Sequence, residues 1–150
     1  MHSAVIREMD QDKSCEAKVV RFPNTNPRVY KTIPIYLPSD MRKDLNYSAR
    51  TKAGVALECL PTKEGVLVGI MLVKPEDEEI CVKLSNKELL KQFFNEQFPM
   101  FVDWIRDADI ATMADSKFFG LPSFGYVDKS LNMGGQAALL GDTIHTVKPY

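Results

Sequence analysis

The residues whose types and spacing most clearly suggest a ligand site lie together near residue 142. A Gly141-Asp142 pair follows the apolar run at 137–140, and a short continuous apolar run of this kind predicts a buried strand. Open α/β sheets bind ligands just beyond the carboxyl ends of such strands. Gly141 lets the backbone approach a ligand closely, and the Asp142 carboxylate can accept a hydrogen bond from a sugar-type hydroxyl. The pair therefore predicts a polar ligand contact.

The same pair also fits a simple turn, because an aspartate tolerates turns and satisfies backbone donors. These two residues alone leave both interpretations open. His145 follows them in an apolar neighbourhood that includes Ile144 and Val147. We expect its imidazole to be packed and structural rather than reactive.

The order Gly141-Asp142, His145, Pro149 resembles the second flavin-binding motif of the FAD-dependent aromatic hydroxylases. In that family the aspartate holds the ribityl chain of FAD. The resemblance implies a cofactor-binding role for Asp142, with Gly141 beside it and Pro149 near the flavin edge.

A looser resemblance covers most of the chain, from Lys18 to Tyr150, which is similar to the kynurenine 3-monooxygenases and their relatives. Near the other end, Ser3-Ala4-Val5-Ile6-Arg7 resembles the tail of the family's first Asp-Gly motif, although Ile6 intervenes before Arg7. The remaining motifs are Arg21-Phe22-Pro23, Tyr30-Lys31, Glu58-Cys59-Leu60-Pro61, Phe93-Phe94-Asn95-Glu96-Gln97-Phe98-Pro99 and Leu121-Pro122.

The resemblance implies an internal piece of such an enzyme, divided into three segments. Residues 1–17 are expected to be a stub that follows the first flavin motif. Residues 18–127 are expected to be the sheet and helices of the substrate domain. Residues 128–150 are expected to begin the returning FAD-binding segment.

The activity implied by the resemblance is hydroxylation of a small aromatic, kynurenine-like substrate with FAD as cofactor and NADPH and oxygen as co-substrates. The cofactor carries that chemistry, so no catalytic side chain is predicted. None of the eight glycines forms the Gly-x-Gly-x-x-Gly fingerprint or a P-loop. We therefore expect the FAD pyrophosphate to be held by other parts of the enzyme, and this chain to be inactive by itself.

A different class of function stays open. The chain also fits a free-standing small α+β module that binds a protein or an apolar ligand without catalysis. In that case Asp142 is a turn residue, and the sheet is the recognition surface.

Composition excludes several other classes. The net charge is -1 and the basic residues are scattered, so no basic stripe suits nucleic acid. Cys15, Cys59 and Cys81 are an odd number without zinc-site spacing, and no metal site is predicted. No secretory signal and no apolar run of about 20 residues is visible. The sequence predicts no membrane segment and an intracellular chain, either cytoplasmic or associated with an organelle.

Strand signals dominate the first half of the chain. Residues 18–22 and 28–37 are rich in Val, Ile and Tyr between prolines, which indicates strands that are interrupted or lie at a sheet edge. Residues 39–50 are expected to be a polar loop. Two apolar strands at 54–60 and 66–73 predict a hairpin.

Alternation along this hairpin places Val55, Leu57 and Cys59 on one face. The second strand is apolar on both faces, so we expect a sheet covered twice. Helices provide one cover, and the resemblance implies that the flavin and its substrate lie beneath the other. Leu57, Cys59 and Ile70 are the candidate substrate-lining residues, and simple core packing is the alternative for each of them.

Helix signals follow a predicted strand at 80–84. Ser85 and Glu88 have the spacing of a capping box, and apolar residues at three- and four-residue spacings predict a helix that ends at Phe98 before Pro99. Shorter helical segments follow, the last at 107–116. The expected fold class is α+β, with a mixed, mostly antiparallel β-sheet and helices on one face.

Overall fold

The chain has a mixed α+β fold with an antiparallel sheet and helices. The computed structural model describes residues 4–12, 16–25, 27–121, 123–133, 137–141 and 144–146. Two compact units are present: Pro27–Gly120 forms the larger, and Met1–Asn26 together with Leu121–Tyr150 forms the smaller. The three predicted segments describe a parent enzyme and stay a prediction.

The elements have the following bounds. The strands are β1 Lys18–Arg21, β2 Val29–Ile35, β3 Tyr47–Arg50, β4 Ala56–Pro61, β5 Leu67–Val73, β6 Phe119–Gly120, β7 Gly125–Asp128, β8 Asn132–Met133, β9 Ala137–Ala138 and β10 His145–Thr146. The helices are α1 Ala4–Gln11, α2 Glu78–Lys83, α3 Lys87–Gln97 and α4 Asp107–Asp115, with a 3-10 helix at Pro99–Trp104.

The larger unit is built on a five-stranded sheet in the order β3-β4-β5-β2-β6. All of its neighbouring strands are antiparallel. The predicted hairpin is confirmed, because β4 pairs with β5 from Pro61↔Leu67 to Ala56↔Leu72. Gly65 adopts φ 75° in the connecting turn, a left-handed conformation that favours glycine.

One face of this sheet carries the core. The register places the alternate residues Ile33 and Ile35 of β2 beside Gly69 and Leu67 of β5, and helices α3 and α4 pack over them. The fully buried side chains of this core include Ile33, Ile35, Leu57, Cys59, Leu67, Met71, Val73, Leu84, Leu90 and Phe94. Burial of these apolar groups is the main stabilising contribution in the unit.

The intervening residues stand on the opposite face, which we call the second face. It is made by Tyr30, Thr32 and Pro34 of β2, Val68, Ile70 and Leu72 of β5, and Ala56, Glu58 and Leu60 of β4. Burial is graded along it: Leu72 is 3% exposed, Ile70 is half-buried, and Val68 is 37% exposed near the β4–β5 turn. Water therefore reaches the turn end of the second face.

Pro34 lies inside β2 without breaking it. Strand β6 pairs with β2 only at Val29 and Tyr30, so no strand among the described residues pairs with the outer edge of β2 beside Pro34. The Tyr36 amide, two residues further, donates to the Trp104 carbonyl at 2.7 Å. By alternation the Pro34 nitrogen faces the same outer edge, where its missing N–H is tolerated.

Gly69 occupies a crowded position on the core face. A Cβ atom there would lie 3.1 Å from the side chains of Ile33 and Ile35 and from the Ile33 carbonyl. We expect Gly69→Ala to lower the free energy of unfolding by about 1–3 kcal/mol, because overpacking displaces these neighbours. Urea unfolding measures the change. Gly120→Ala is the matched control, since its Cβ meets no atom within 4 Å, and an equal loss in both variants would contradict the crowding argument.

The aromatic helix α3 begins one residue later than the predicted capping box. Its N-cap is Asn86, whose side chain accepts a hydrogen bond from the Leu89 amide at 3.0 Å, so Ser85 is not the cap. The helix ends as predicted, with Phe98 as C-cap, and Pro99 opens a 3-10 helix. The predicted helix at 107–116 is confirmed as α4, which buries Ile110 and Met113.

Two predicted elements of the larger unit are wrong. The segment expected to be a strand at 80–84 forms helix α2, which packs Ile80 and Cys81 against the core and leaves Val82 62% exposed. The end of the segment expected to be a loop forms β3, which pairs with β4 at the edge of the sheet. In both segments packing against neighbours outweighs local sequence preference.

The smaller unit has its own core. Strand β7 pairs with both β1 and β10, and the core contains Ile6, Met9, Ala17, Val127 and Leu139. Helix α1 contributes Ile6 and Met9 to this core. The buried strand expected at 137–140 is wrong: only β9 forms, it pairs with β8, and Leu140 is 78% exposed.

Lys31 is a buried cation on the core face of β2. Its side chain is fully buried, and Nζ donates to the carbonyls of Leu84 at 2.9 Å, Met113 at 3.1 Å and Ala114 at 2.9 Å. The Phe118 ring lies 4.7 Å from the same nitrogen. Leu84 caps α2, while Met113 and Ala114 belong to the last turn of α4, so the ammonium group joins two helix C-termini, where a positive charge is favourable.

Candidate functional site

Of the three predicted cofactor-binding residues, Gly141 alone lies among the residues that the structure describes. Gly141 is exposed, with φ 58° and no atom within 4 Å of the position of a Cβ. Its carbonyl accepts a hydrogen bond from the Ile144 amide at 2.9 Å. Asp142 and Pro149 lie outside the described residues. The predicted ligand contact of this segment stays a prediction.

His145 differs from the expected packed imidazole. It lies on the short strand β10, opposite Tyr126 of β7, and is exposed. Its apolar sequence neighbourhood did not predict this position, because Ile144 packs against the core of the smaller unit while His145 does not.

The three predicted substrate-lining residues divide between the two faces of the large sheet. Leu57 and Cys59 point into the core beneath the helices, and both are 0% exposed. Ile70 pairs with Thr32 and Glu58 on the second face, where it is half-buried. One ligand lying on one face therefore cannot touch all three, and Ile70 alone stands on the face that has no helices in this unit.

A cleft of about 390 Å³ lies at the turn end of the second face. Pro34 and Val68 form a cross-strand pair on its floor. Tyr36 bounds it beyond the end of β2, and the β4–β5 turn contributes Glu64. The complete lining is Thr32, Ile33, Pro34, Tyr36, Thr62, Glu64, Val66, Leu67 and Val68. A volume of this size is near the lower end of the range of about 300–1,000 Å³ for small-molecule sites.

The Tyr36 side of the cleft is held in place by two contacts. The Tyr36 amide is hydrogen-bonded to Trp104, and the Arg106 guanidinium stacks over the Tyr36 ring with its central carbon 3.7 Å from the ring centroid. A stacked guanidinium stabilises the ring through a cation–π interaction. This side of the cleft is therefore preorganised.

The turn side of the cleft has a single charged group. The Thr62 hydroxyl donates to the Val66 carbonyl at 2.6 Å, so it is occupied in holding the turn. Glu64 is exposed and is the only ionisable carboxylate among the lining residues. The cleft thus combines an apolar floor with one negative charge at its rim.

The two described cysteines are free and are poor nucleophiles. Burial raises the pKa of the Cys59 thiol to about 12, and the negative charge of Glu58 adds to the rise. Burial also raises the pKa of Cys81, with further contributions from Asp77 and Glu78. Because the thiolate is the reactive form, neither residue is poised for nucleophilic chemistry.

We expect the native Cys59 thiol to resist alkylation at neutral pH, because it is buried and protonated. A Cys15→Ser/Cys81→Ser variant leaves Cys59 as the single thiol, and mass spectrometry after iodoacetamide treatment measures its labelling. Labelling should be negligible in the folded protein and complete in urea. A variant that retains only the half-buried Cys81 serves as the comparison, and stoichiometric labelling of native Cys59 would contradict the burial argument.

In the part of the chain that the structure describes, no group of three or more His, Cys, Asp or Glu side chains is arranged to hold a metal ion. No helix among the described residues is long and apolar enough to cross a membrane.

Sequence reasoning missed the cleft, although part of the signal was present. Alternation in β2 separates Thr32 and Pro34 from the buried Ile33 and Ile35, which indicates a second, less buried face. The contact between Arg106 and Tyr36 joins residues 70 positions apart, and no local pattern reveals such a pair. The place of Glu64 among the lining residues likewise depends on the fold of the turn.

No protein-family model matches the chain, and no curated protein matches it significantly.

Proposed function

We propose that this chain supplies the substrate-domain sheet of an FAD-dependent monooxygenase that hydroxylates a small aromatic, kynurenine-like substrate with NADPH and oxygen. In this proposal Gly141, Asp142 and Pro149 bind the cofactor, and Ile70 belongs to the face that lies over the flavin and substrate. The proposal rests on the resemblance of the Gly141-Asp142, His145, Pro149 order to a flavin motif.

The structural observation that supports it is the unequal cover of the large sheet. Helices cover the core face, whereas apolar side chains such as Ile70 and Leu60 are only half-buried on the second face. An apolar surface of this kind excludes water from a reacting flavin and holds an aromatic ring. When bound, FAD supplies the oxygen chemistry, and the chain's own contribution is positioning and exclusion of water.

The cleft also fits a second candidate, a small α+β module that binds a small molecule without catalysis. All of its lining residues belong to the larger unit. A cleft of this kind needs no flavin, so it would serve a binding module as well as an enzyme.

The test of the flavoenzyme proposal is cofactor retention in Asp142→Ala, made in protein translated from the complete coding sequence. We expect the variant to lose most of its flavin, because the ribityl hydroxyls lose their carboxylate acceptor; a loss of about 1.5–3 kcal/mol for a hydrogen bond to a charged group corresponds to roughly a tenfold or larger drop in affinity. Visible absorbance after gel filtration measures the bound flavin.

Asp40→Ala is the matched control, since Asp40 is an exposed carboxylate in a turn of the larger unit. It should retain the same flavin content as the wild type. Equal flavin content in the Asp142 variant and the wild type would remove Asp142 from the cofactor site.

A further inference from the structure

The cleft on the second face carries a charge pattern that specifies a ligand class. Its floor is apolar, with Pro34, Val66 and Val68 among the lining residues. Its rim bears the Glu64 carboxylate, and the lining residues include no lysine, arginine or histidine. The lining residues themselves thus offer an apolar surface and one negative charge, and the neighbouring Arg106 guanidinium is stacked on the Tyr36 ring.

We propose that the cleft binds a small molecule that joins an apolar ring to a single ammonium group. The ring lies on the floor formed by Pro34 and Val68, beside Tyr36, and the ammonium group pairs with Glu64. An apolar ligand without a charge would leave the carboxylate unused, and an anionic ligand would be repelled by it. The inference concerns the cleft alone and holds whether or not the chain belongs to a flavoenzyme.

The size and rigidity of the cleft fit such an occupant. Its volume of about 390 Å³ suits one ring with a short side chain better than an extended peptide. Tyr36 is fixed by the Arg106 guanidinium and by the Trp104 carbonyl, and the hydroxyl of Thr62 anchors the turn that presents Glu64. Preorganised walls reduce the ordering that binding requires.

The experiment is a pair of NMR titrations of the ¹⁵N-labelled chain, one with 2-phenylethylamine and one with 2-phenylethanol. The two probes differ in the ammonium group and share the ring. We expect both to shift the amide signals of Thr32, Val66 and Val68, and the amine to bind about two- to fivefold more tightly, as an exposed ion pair allows. Salt at about 1 M should largely remove this preference because it screens the charge.

Three variants complete the design. Glu64→Gln should abolish the preference for the amine and leave the affinity for the alcohol unchanged, while Glu76→Gln, an exposed acid remote from the lining, should change neither. Val68→Phe should weaken both probes by filling the floor. Equal affinities for the two probes in the wild type, binding of neither, or a preference that survives Glu64→Gln would each overturn the proposal.

Discussion

Lys31→Met is expected to lower the free energy of unfolding by about 2–4 kcal/mol, since it leaves the buried carbonyls of Leu84 and Ala114 without the ammonium donor. The ammonium group contacts the carbonyls of Leu84, Met113 and Ala114 and the Ser85 hydroxyl at 3.3 Å. Methionine matches the length of the lysine stem but donates no hydrogen bond. The ends of α2 and α4 would then face each other across an apolar side chain, without the charge that favours both.

Two effects shift the pKa of the Lys31 ammonium group in opposite directions. Burial lowers the pKa of Lys31 from its ordinary 10.5, and the negative charge of Asp115 opposes that shift. The four acceptors compensate the ammonium group for its lost water, which is the condition for a buried charge. Removal of the group therefore acts through the carbonyls of Leu84 and Ala114, since the Met113 carbonyl keeps the Ser116 amide and hydroxyl as donors.

Urea unfolding followed by circular dichroism measures the effect. Lys117→Met is the control, because Lys117 is exposed near the same helix end, and we expect it to change stability by no more than about 0.5 kcal/mol. A similar small change for Lys31→Met would show that the buried ammonium group does not hold the two helices to the sheet.

Phe94→Ala is expected to have the other large effect, a loss of about 3–5 kcal/mol. Phe94 is 1% exposed on α3, and its ring centroid lies 6.0 Å from that of Phe98. Phe98 in turn contacts Phe93 and Phe101 edge-on. Truncation therefore removes apolar contacts and opens a cavity inside a connected aromatic cluster.

Two matched variants separate packing from hydrophobicity at this position. Phe94→Leu should lose much less stability than Phe94→Ala, because it keeps most of the buried volume. Met100→Ala should be nearly neutral, since Met100 is 73% exposed on the adjoining 3-10 helix. Equal losses for the alanine and leucine variants at Phe94 would contradict the cavity argument.

The sequence predicted the elements that have strong periodicity. The β4–β5 hairpin followed from two apolar runs around a turn that contains Gly65, and α3 followed from Leu90, Phe93 and Phe94 at helical spacing. These signals are local, so they do not depend on the rest of the fold. The fold class followed from them.

Tertiary packing decided the segments where prediction was wrong. Residues Ile80, Val82 and Leu84 have the spacing of apolar residues in a strand, yet the segment forms helix α2. The Leu84 carbonyl accepts a hydrogen bond from Lys31, 53 positions away in the sequence. The segment 137–140 is apolar as in a buried strand, yet Leu139 alone is buried there, at 3% exposure. Short apolar runs do not distinguish these outcomes.

The candidate site was predictable only in outline. Alternation separated Leu57 and Cys59 from Glu58 and Leu60, but it did not identify which set faces the helices. The structure assigns Leu57 and Cys59 to the core and Ile70 to the second face. The cleft itself also depends on the contact between Tyr36 and Arg106, which are distant in sequence and for which the chain gives no local signal.

The flavoenzyme proposal depends on flavin binding by the protein expressed from the complete coding sequence. The flavin content of the purified wild-type protein measures that binding. We expect about one FAD per chain, released on denaturation and identified by mass spectrometry, as for a flavoprotein monooxygenase whose cofactor carries the oxidation chemistry. A correctly folded protein that contains no flavin and binds none when FAD is added would contradict it.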